Sequence, residues 1–190
     1  MSQQHSQQTL ADARQLFQQK AYPEALQLCK TLLSQKGLQT DVLILKALIH
    51  KQMGDLEEAG KSMDLALSQN PTHAGMLFTG ALINLKLSNF DQAKIQAMKA
   101  AREAPDNPQI ICQCAMILGS VGEPQNALQI LEKFTRKNQD QAEAWYLIGK
   151  FQAALDNNEA AEYALRQCIA LEPKHVNALK QLERVSDPNP

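Results

Sequence analysis

The chain has 190 residues, enough for one ordinary domain or a short repeat array with a substantial core. Alanine, leucine, glutamine, lysine and glutamate dominate, aromatic side chains make up 5%, and glycine and proline number eight each, a helix-forming composition that excludes a strand-rich protein. The net charge of −1 balances 19 basic against 20 acidic side chains, and the bases are dispersed instead of forming a stripe that could neutralise successive phosphates, which argues against nucleic acid as a partner.

The glutamine-rich start, Met1 to Gln8, has neither the positive opening nor the apolar run of a secretion signal; residues 1–5 are expected as a flexible tail and the chain as cytoplasmic. From residue 6 one pattern recurs: two helices of about thirteen residues with a turn between them. Repeat 6–39 carries Ala13 on its first helix and Ala25 on its second, with Pro23 in the opening turn of that second helix, where a missing N–H costs little. Repeat 40–73 has Ala47 and Ala59, turns at Gly54 and closes near Pro71. Repeat 74–107 has Ala81 and Ala93, turns at Ser88-Asn89 and closes near Pro105. Repeat 108–141 places Ala115 and Ala127 about Gly122 and Pro124, and repeat 142–175 places Gly149 and Ala161 before Pro173. Both ladders of small residues step by 34 positions without insertion or deletion. Val176 to Val185 sets Val176, Leu179, Leu182 and Val185 on one side and is expected as a capping helix that closes the stack, with residues 186–190 a tail or linker.

Small residues at both crossing positions let paired helix axes approach closely, while Trp145, Ile148, Leu165 and Ile169 fill the space around them in the last repeat. The pattern resembles the tetratricopeptide repeat over residues 6–175, best in the last repeat with Trp145-x2-Ile148-Gly149, Ala161, Leu165, Cys168 and Pro173. Repeat 6–39 is degenerate, and Gly37 and Gln139 replace the proline between repeats. His50, Asn84 and Gln152 stand where the family prefers tyrosine, so those hairpins are expected to pack less tightly. The resemblance implies an all-α fold, a right-handed α-solenoid of antiparallel helix hairpins forming a superhelix whose first helices line a concave, peptide-gripping groove.

At about 100° per residue, the third and tenth residues of each first helix face the preceding repeat, as Ile49, Ile83, Ile117 and Phe151 suggest. The remaining arc supplies the expected groove: Ile44, Leu45, Leu48 and Lys51; Phe78, Leu82, Leu85 and Lys86; Cys112, Gln113 and Met116; Tyr146, Leu147 and Lys150. Its floor is expected to be apolar from Ile44 to Tyr146, with Arg14, Lys51, Lys86 and Lys150 about it. Burying each large apolar side chain is worth roughly 1.5–3 kcal/mol, so such a floor implies a protein or peptide partner, an apolar or amphipathic segment with acidic flanks. A second copy of the chain, forming a homodimer, is an alternative occupant. The family's clamp for acidic C-termini needs lysine, asparagine and arginine at places held here by Ile44, Leu48, Thr79, Gln109 and Gln113, so a chaperone tail is not the expected ligand.

No catalytic, cofactor or metal site is expected. Cys29, Cys112, Cys114 and Cys168 lie within helical patterns as small apolar residues. His5, His50, His73 and His175 are far apart and read as solvated or turn residues. Glu57-Glu58 opens a helix, where the macrodipole favours acids. Val42 to Ile49 and Ile110 to Gly119 fall far short of the roughly 20 residues that span a bilayer, so no membrane insertion is expected. The alternative to a stand-alone scaffold is the N-terminal substrate-recognition module of a larger enzyme, as in bacterial proteins that join such repeats to a sulfotransferase or another transferase domain.

Overall fold

The computed structural model describes residues 3–34 and 39–186. Among them lie eleven α-helices and no strand: α1 (Gln3–Gln18), α2 (Tyr22–Leu33), α3 (Gln39–Met53), α4 (Leu56–Gln69), α5 (Ala74–Lys86), α6 (Phe90–Glu103), α7 (Pro108–Ser120), α8 (Pro124–Thr135), α9 (Ala142–Ala154), α10 (Asn158–Leu171) and α11 (Val176–Ser186). None of the helices among the described residues is long and apolar enough to cross a membrane. The fold is all-α, built from consecutive antiparallel helix pairs. It divides into two compact units, Met1–Gln92 and Ala93–Pro190.

Both ladders serve as crossing points. Ala13, Ala25, Ala47, Ala59, Ala81, Ala93, Ala115, Ala127 and Ala161 are all completely buried. In the first unit, one core cluster joins Leu10, Cys29, Leu32, Val42, Leu45 and Ile49 to Ala13 and Ala25, and a second joins Leu43, Met63, Met76 and Ile83 to Ala47 and Ala59. In the second unit, Leu165, Cys168, Ala178 and Val185 pack with Ala161.

The turn inside each pair follows the same rule five times. Lys20, Gly54, Ser88, Gly122 and Asp156, 34 residues apart, all have left-handed backbone, with φ of 61°, 85°, 60°, 80° and 59°. The next residue's N–H then reaches back to close the preceding helix, as in Ala21 to Leu16 O at 2.9 Å and Glu123 to Leu118 O at 2.9 Å. Glycine meets this demand without cost at Gly54 and Gly122, whereas lysine has neither glycine's freedom nor the short polar group with which aspartate bonds locally. Lys20→Gly is therefore expected to stabilise the first unit by about 1 kcal/mol, allowing for the freer unfolded chain. A urea midpoint that stays put or falls would count against it.

Position 11 of the first helix, where weak packing was expected, holds a polar tether. Asn89 Nδ2 donates to Asn84 Oδ1 at 3.2 Å and Asn157 Nδ2 to Gln152 Oε1 at 2.9 Å, and His50 Nδ1 approaches Asp55 Oδ2 at 3.2 Å. The residue before α5, α7 and α11 is a cap, whereas Gln141 before α9 makes no such bond. His73 Nδ1 accepts from Met76 N at 3.2 Å, Asn107 Oδ1 from Ile110 N at 3.1 Å, and His175 Nδ1 from Ala178 N at 3.1 Å. His73 and His175 are thus helix caps, and the side chains of His50 and His175 are only 12% and 10% exposed, which corrects their reading as solvated.

Both chain ends also differ from expectation. Residues 3–5 belong to α1 and not to a flexible tail, because the glutamine-rich start is a good helix former supported by Thr9 Oγ1 donating to His5 O at 2.9 Å and Gln8 Nε2 to Asp12 Oδ1 at 3.0 Å. Ser186 ends α11, and the rest of the expected tail, with Met1, Ser2 and Gly37, lies outside the described residues. α11 sits in the register of a first helix: Ala178 and Val185, its third and tenth residues, are buried, while Val176 and Leu179 are 60% and 39% exposed. Leu182 packs, partly buried, against the core of α10, so the apolar side chains that α11 leaves exposed are Val176 and Leu179.

All four cysteines are buried and unpaired. Loss of water holds their thiols above the ordinary 9.0, at about 11 for Cys29, Cys112 and Cys168 and about 12 for Cys114. An aromatic disulfide reagent at about pH 8 should modify them only as the chain unfolds. Because the unfolded chain releases these protons first, stability should decline as pH rises from 9.0 towards 11. Rapid modification of the native protein would contradict both statements.

Candidate functional site

In the first unit, α3 and α5 supply the expected groove residues. Ile44, Leu48, Phe78, Leu82 and Leu85 are half-buried, and Lys86 is exposed. Leu45 is 4% exposed and belongs to the core, so it offers no groove surface; its place on the arc turns it against α1 and α2. Arg14 is held by Asp41 at 3.4 Å. Lys51 and Lys86 lie near enough for the Lys86 charge to act on Lys51, and neither has a carboxylate within ion-pair distance among the described residues. Partial burial is the main cause that lowers the Lys51 ammonium below its ordinary range, and the Lys86 charge adds to it. A half-dry, uncompensated cation pair beside Leu48, Leu82 and Leu85 is thus the distinctive feature of this face.

The second unit's first-helix face is more polar. Gln113 and Lys150 are exposed and Met116 is 41% exposed, but Cys112 and Leu147 are 8% and 1% exposed and lie in the core instead of the groove. α7 and α9 fit closely: at Gly119 a Cβ would lie 2.3 Å from Phe151 Cε1, so the ring fills the space beside α7. Tyr146 is half-buried beneath His175, with ring centroids 4.8 Å apart. Since His175 Nδ1 accepts the Ala178 N–H, Nε2 carries the proton and faces Glu143 Oε2 at 3.4 Å. Burial, followed by the Glu143 charge, raises the Tyr146 hydroxyl above its ordinary value. Met116 is the sole large apolar residue of the expected groove that is exposed; among the described residues the others of that class are Met53, Leu65, Phe90, Ile95, Tyr163, Leu171, Val176 and Leu179.

Among the described residues no group of three or more histidine, cysteine or acidic side chains could hold a metal ion. Comparison with known families places the tetratricopeptide repeat profile on residues 40–73 and 142–175, the same bounds as the second and fifth repeats of the 34-residue register. Two of the chain's five 34-residue repeats thus match the tetratricopeptide-repeat model. The chain is 28% identical over 141 residues to the β-barrel assembly-enhancing protease of Escherichia coli K12, a match covering 74% of the chain and 29% of the relative, and to that of Shigella flexneri to the same extent. The chain therefore spans less than a third of those relatives' length. Among solved structures it is similar to YrrB, described as a tetratricopeptide-repeat protein with an unusual peptide-binding site, at a TM-score of 0.76 and 19% identity over 92% of this chain and 90% of that one. A tetratricopeptide-repeat protein of Parabacteroides merdae gives a TM-score of 0.80 at 16% identity over 96% of this chain and 72% of that one. MamA gives 0.69 at 16% identity over 80% and 82%. At such identities the shared property is the fold.

Proposed function

We propose that this chain, a protein-interaction module of tetratricopeptide repeats, holds an amphipathic peptide segment on the α3/α5 face of its first unit. The observation that carries the reading is the pair Lys51 and Lys86, unneutralised beside the half-exposed Ile44, Leu48, Phe78 and Leu82. An apolar stripe on the segment covers the aliphatic side chains, and an acidic flank meets the two ammonium groups, which restores to Lys51 the charge compensation that partial burial removed. YrrB's peptide-binding site, on a similar fold, supports the reading by analogy. The chain acts on this reading by binding and not by catalysis. Anisotropy of a labelled amphipathic helix with glutamates at one end tests it: wild type should bind, and Leu48→Glu/Leu82→Glu should not. Equal affinity of the two proteins would remove this face from the function.

A second reading, that the repeats serve as the recognition part of a larger enzyme, is favoured by the protease relatives, in which the matched stretch is 29% of the protein. The mass of the native protein separates the two, with 21.1 kDa expected for a stand-alone module.

A further inference from the structure

In the second unit, Tyr163 and Leu171 on α10 are 60% and 44% exposed. They line one of two clefts on the second-helix side. The first cleft, of about 470 Å³, is formed by α6, the start of α7 and α8; Ile111 and Phe134 are its buried floor and Arg102, Lys133 and Arg136 its exposed rim. The second, of about 550 Å³, is formed by α8, α9 and α10, with Trp145, Tyr163 and Leu171 among its walls. The two are the same feature one repeat apart. Arg102, Asp106, Ile111 and Gln129 of the first recur 34 positions later as Arg136, Asp140, Trp145 and Tyr163 of the second, and Arg136 lines both.

Substitution within that shared frame has made the clefts chemically different and complementary. In the first, Lys137 meets Asp106 at 4.0 Å, while Arg102, Lys133 and Arg136 have no carboxylate within ion-pair distance among the described residues. Glu132 is the other acid that lines it, so the cleft keeps an excess of positive charge over an apolar floor. In the second, the Trp145 ring meets Tyr163 edge-on at 6.1 Å, and its indole N–H donates to Gln139 O at 2.8 Å, which fixes an aromatic wall in place. Each cleft is of a size that encloses a side chain or small group.

We propose that this second-helix face binds a peptide segment in which carboxylate side chains neighbour an aromatic or long aliphatic one. The carboxylates sit on the Lys133 ammonium and on Arg102 and Arg136, whose guanidinium groups suit two-point pairing, and the apolar side chain lies against Trp145 and Tyr163. This surface is distinct from the α3/α5 face and its test does not depend on that face.

Trp145, the sole tryptophan, reports on the second cleft. Titration of the full chain with an acetylated, amidated peptide carrying two aspartates beside a phenylalanine should shift its emission saturably. Exchanging the aspartates for asparagines should weaken binding by roughly tenfold or more, and so should Lys133→Glu/Arg136→Glu, whose side chains are exposed and leave the core untouched. Tyr163→Ala should weaken it to a similar degree, with circular dichroism showing helicity retained, while Leu48→Glu/Leu82→Glu should bind as wild type does. Absence of both an emission change and a heat of binding at millimolar peptide overturns the proposal, as does equal affinity for the asparagine peptide or in the charge-reversed variant. An emission change that follows protein concentration without peptide assigns the cleft to a second copy and overturns it equally.

Discussion

After Gly149→Ala, the urea midpoint reported by Trp145 is expected to fall by a free energy of about 2 kcal/mol, although alanine is the better helix former by about 1 kcal/mol. A methyl group there would lie 2.6 Å from Leu165 Cγ, 2.8 Å from Leu165 Cδ2 and 3.2 Å from Ala161 O. Leu165 is fully buried and cannot swing into solvent, and the Ala161 carbonyl is part of α10, so relief requires α9 and α10 to separate. The partner of the clash can be removed. Leu165→Ala alone should cost about 3 kcal/mol as a core cavity, and the double variant should lose less than the two single losses added together. Stabilisation by Gly149→Ala, or plain additivity in the cycle, would mean that helix spacing at the ladder is not set by the small residue. Because an array can unfold in parts, the signal of Trp145 beside this crossing is the appropriate reading.

The periodic features of the fold were legible because each is a one-dimensional pattern. Alanines at 34-residue steps mark crossings, and Ile49, Ile83, Ile117 and Phe151 were placed inward by helical angle alone. What escaped was the setting of each residue at finer than about one helical step. Leu45 and Leu147 lie at the edge of the groove arc, and a small inward tilt puts them in the core, Leu45 against α1 and α2. Cys112 follows from the same close packing. The capping role of His73 and His175 was hidden for another reason: they precede helices by a single residue, where a ring nitrogen can cap, yet the usual cap signals are serine, threonine, aspartate and asparagine. The 34-residue register linking His73, Asn107 and His175 was a usable clue, as was the recurrence of Arg102 as Arg136. The pairing of Lys51 with Lys86 depends on how α3 and α5 pack, which composition and periodicity do not carry.

Leu48 and Leu82 are half-buried and belong to neither core cluster of the first unit, so glutamate at both positions should leave helicity and the unfolding midpoint nearly unchanged. A bound amphipathic segment would lose two apolar contacts and would have to cover two carboxylates, together about 3 kcal/mol, or roughly a hundredfold in affinity. The new acids also place negative charge near Lys51 and Lys86, which removes the attraction for an acidic flank. Charge and apolar contributions can be told apart by salt, since only the former weakens as ionic strength rises.

The most direct measurement is a methyl-resolved NMR titration of the wild-type chain with the glutamate-flanked amphipathic helix. Saturable shifts are expected at Ile44, Leu48, Leu82 and Leu85, with Leu165 and Ile148 of the second unit unmoved. Shifts confined to the second unit, or none at a peptide excess, would contradict this reading.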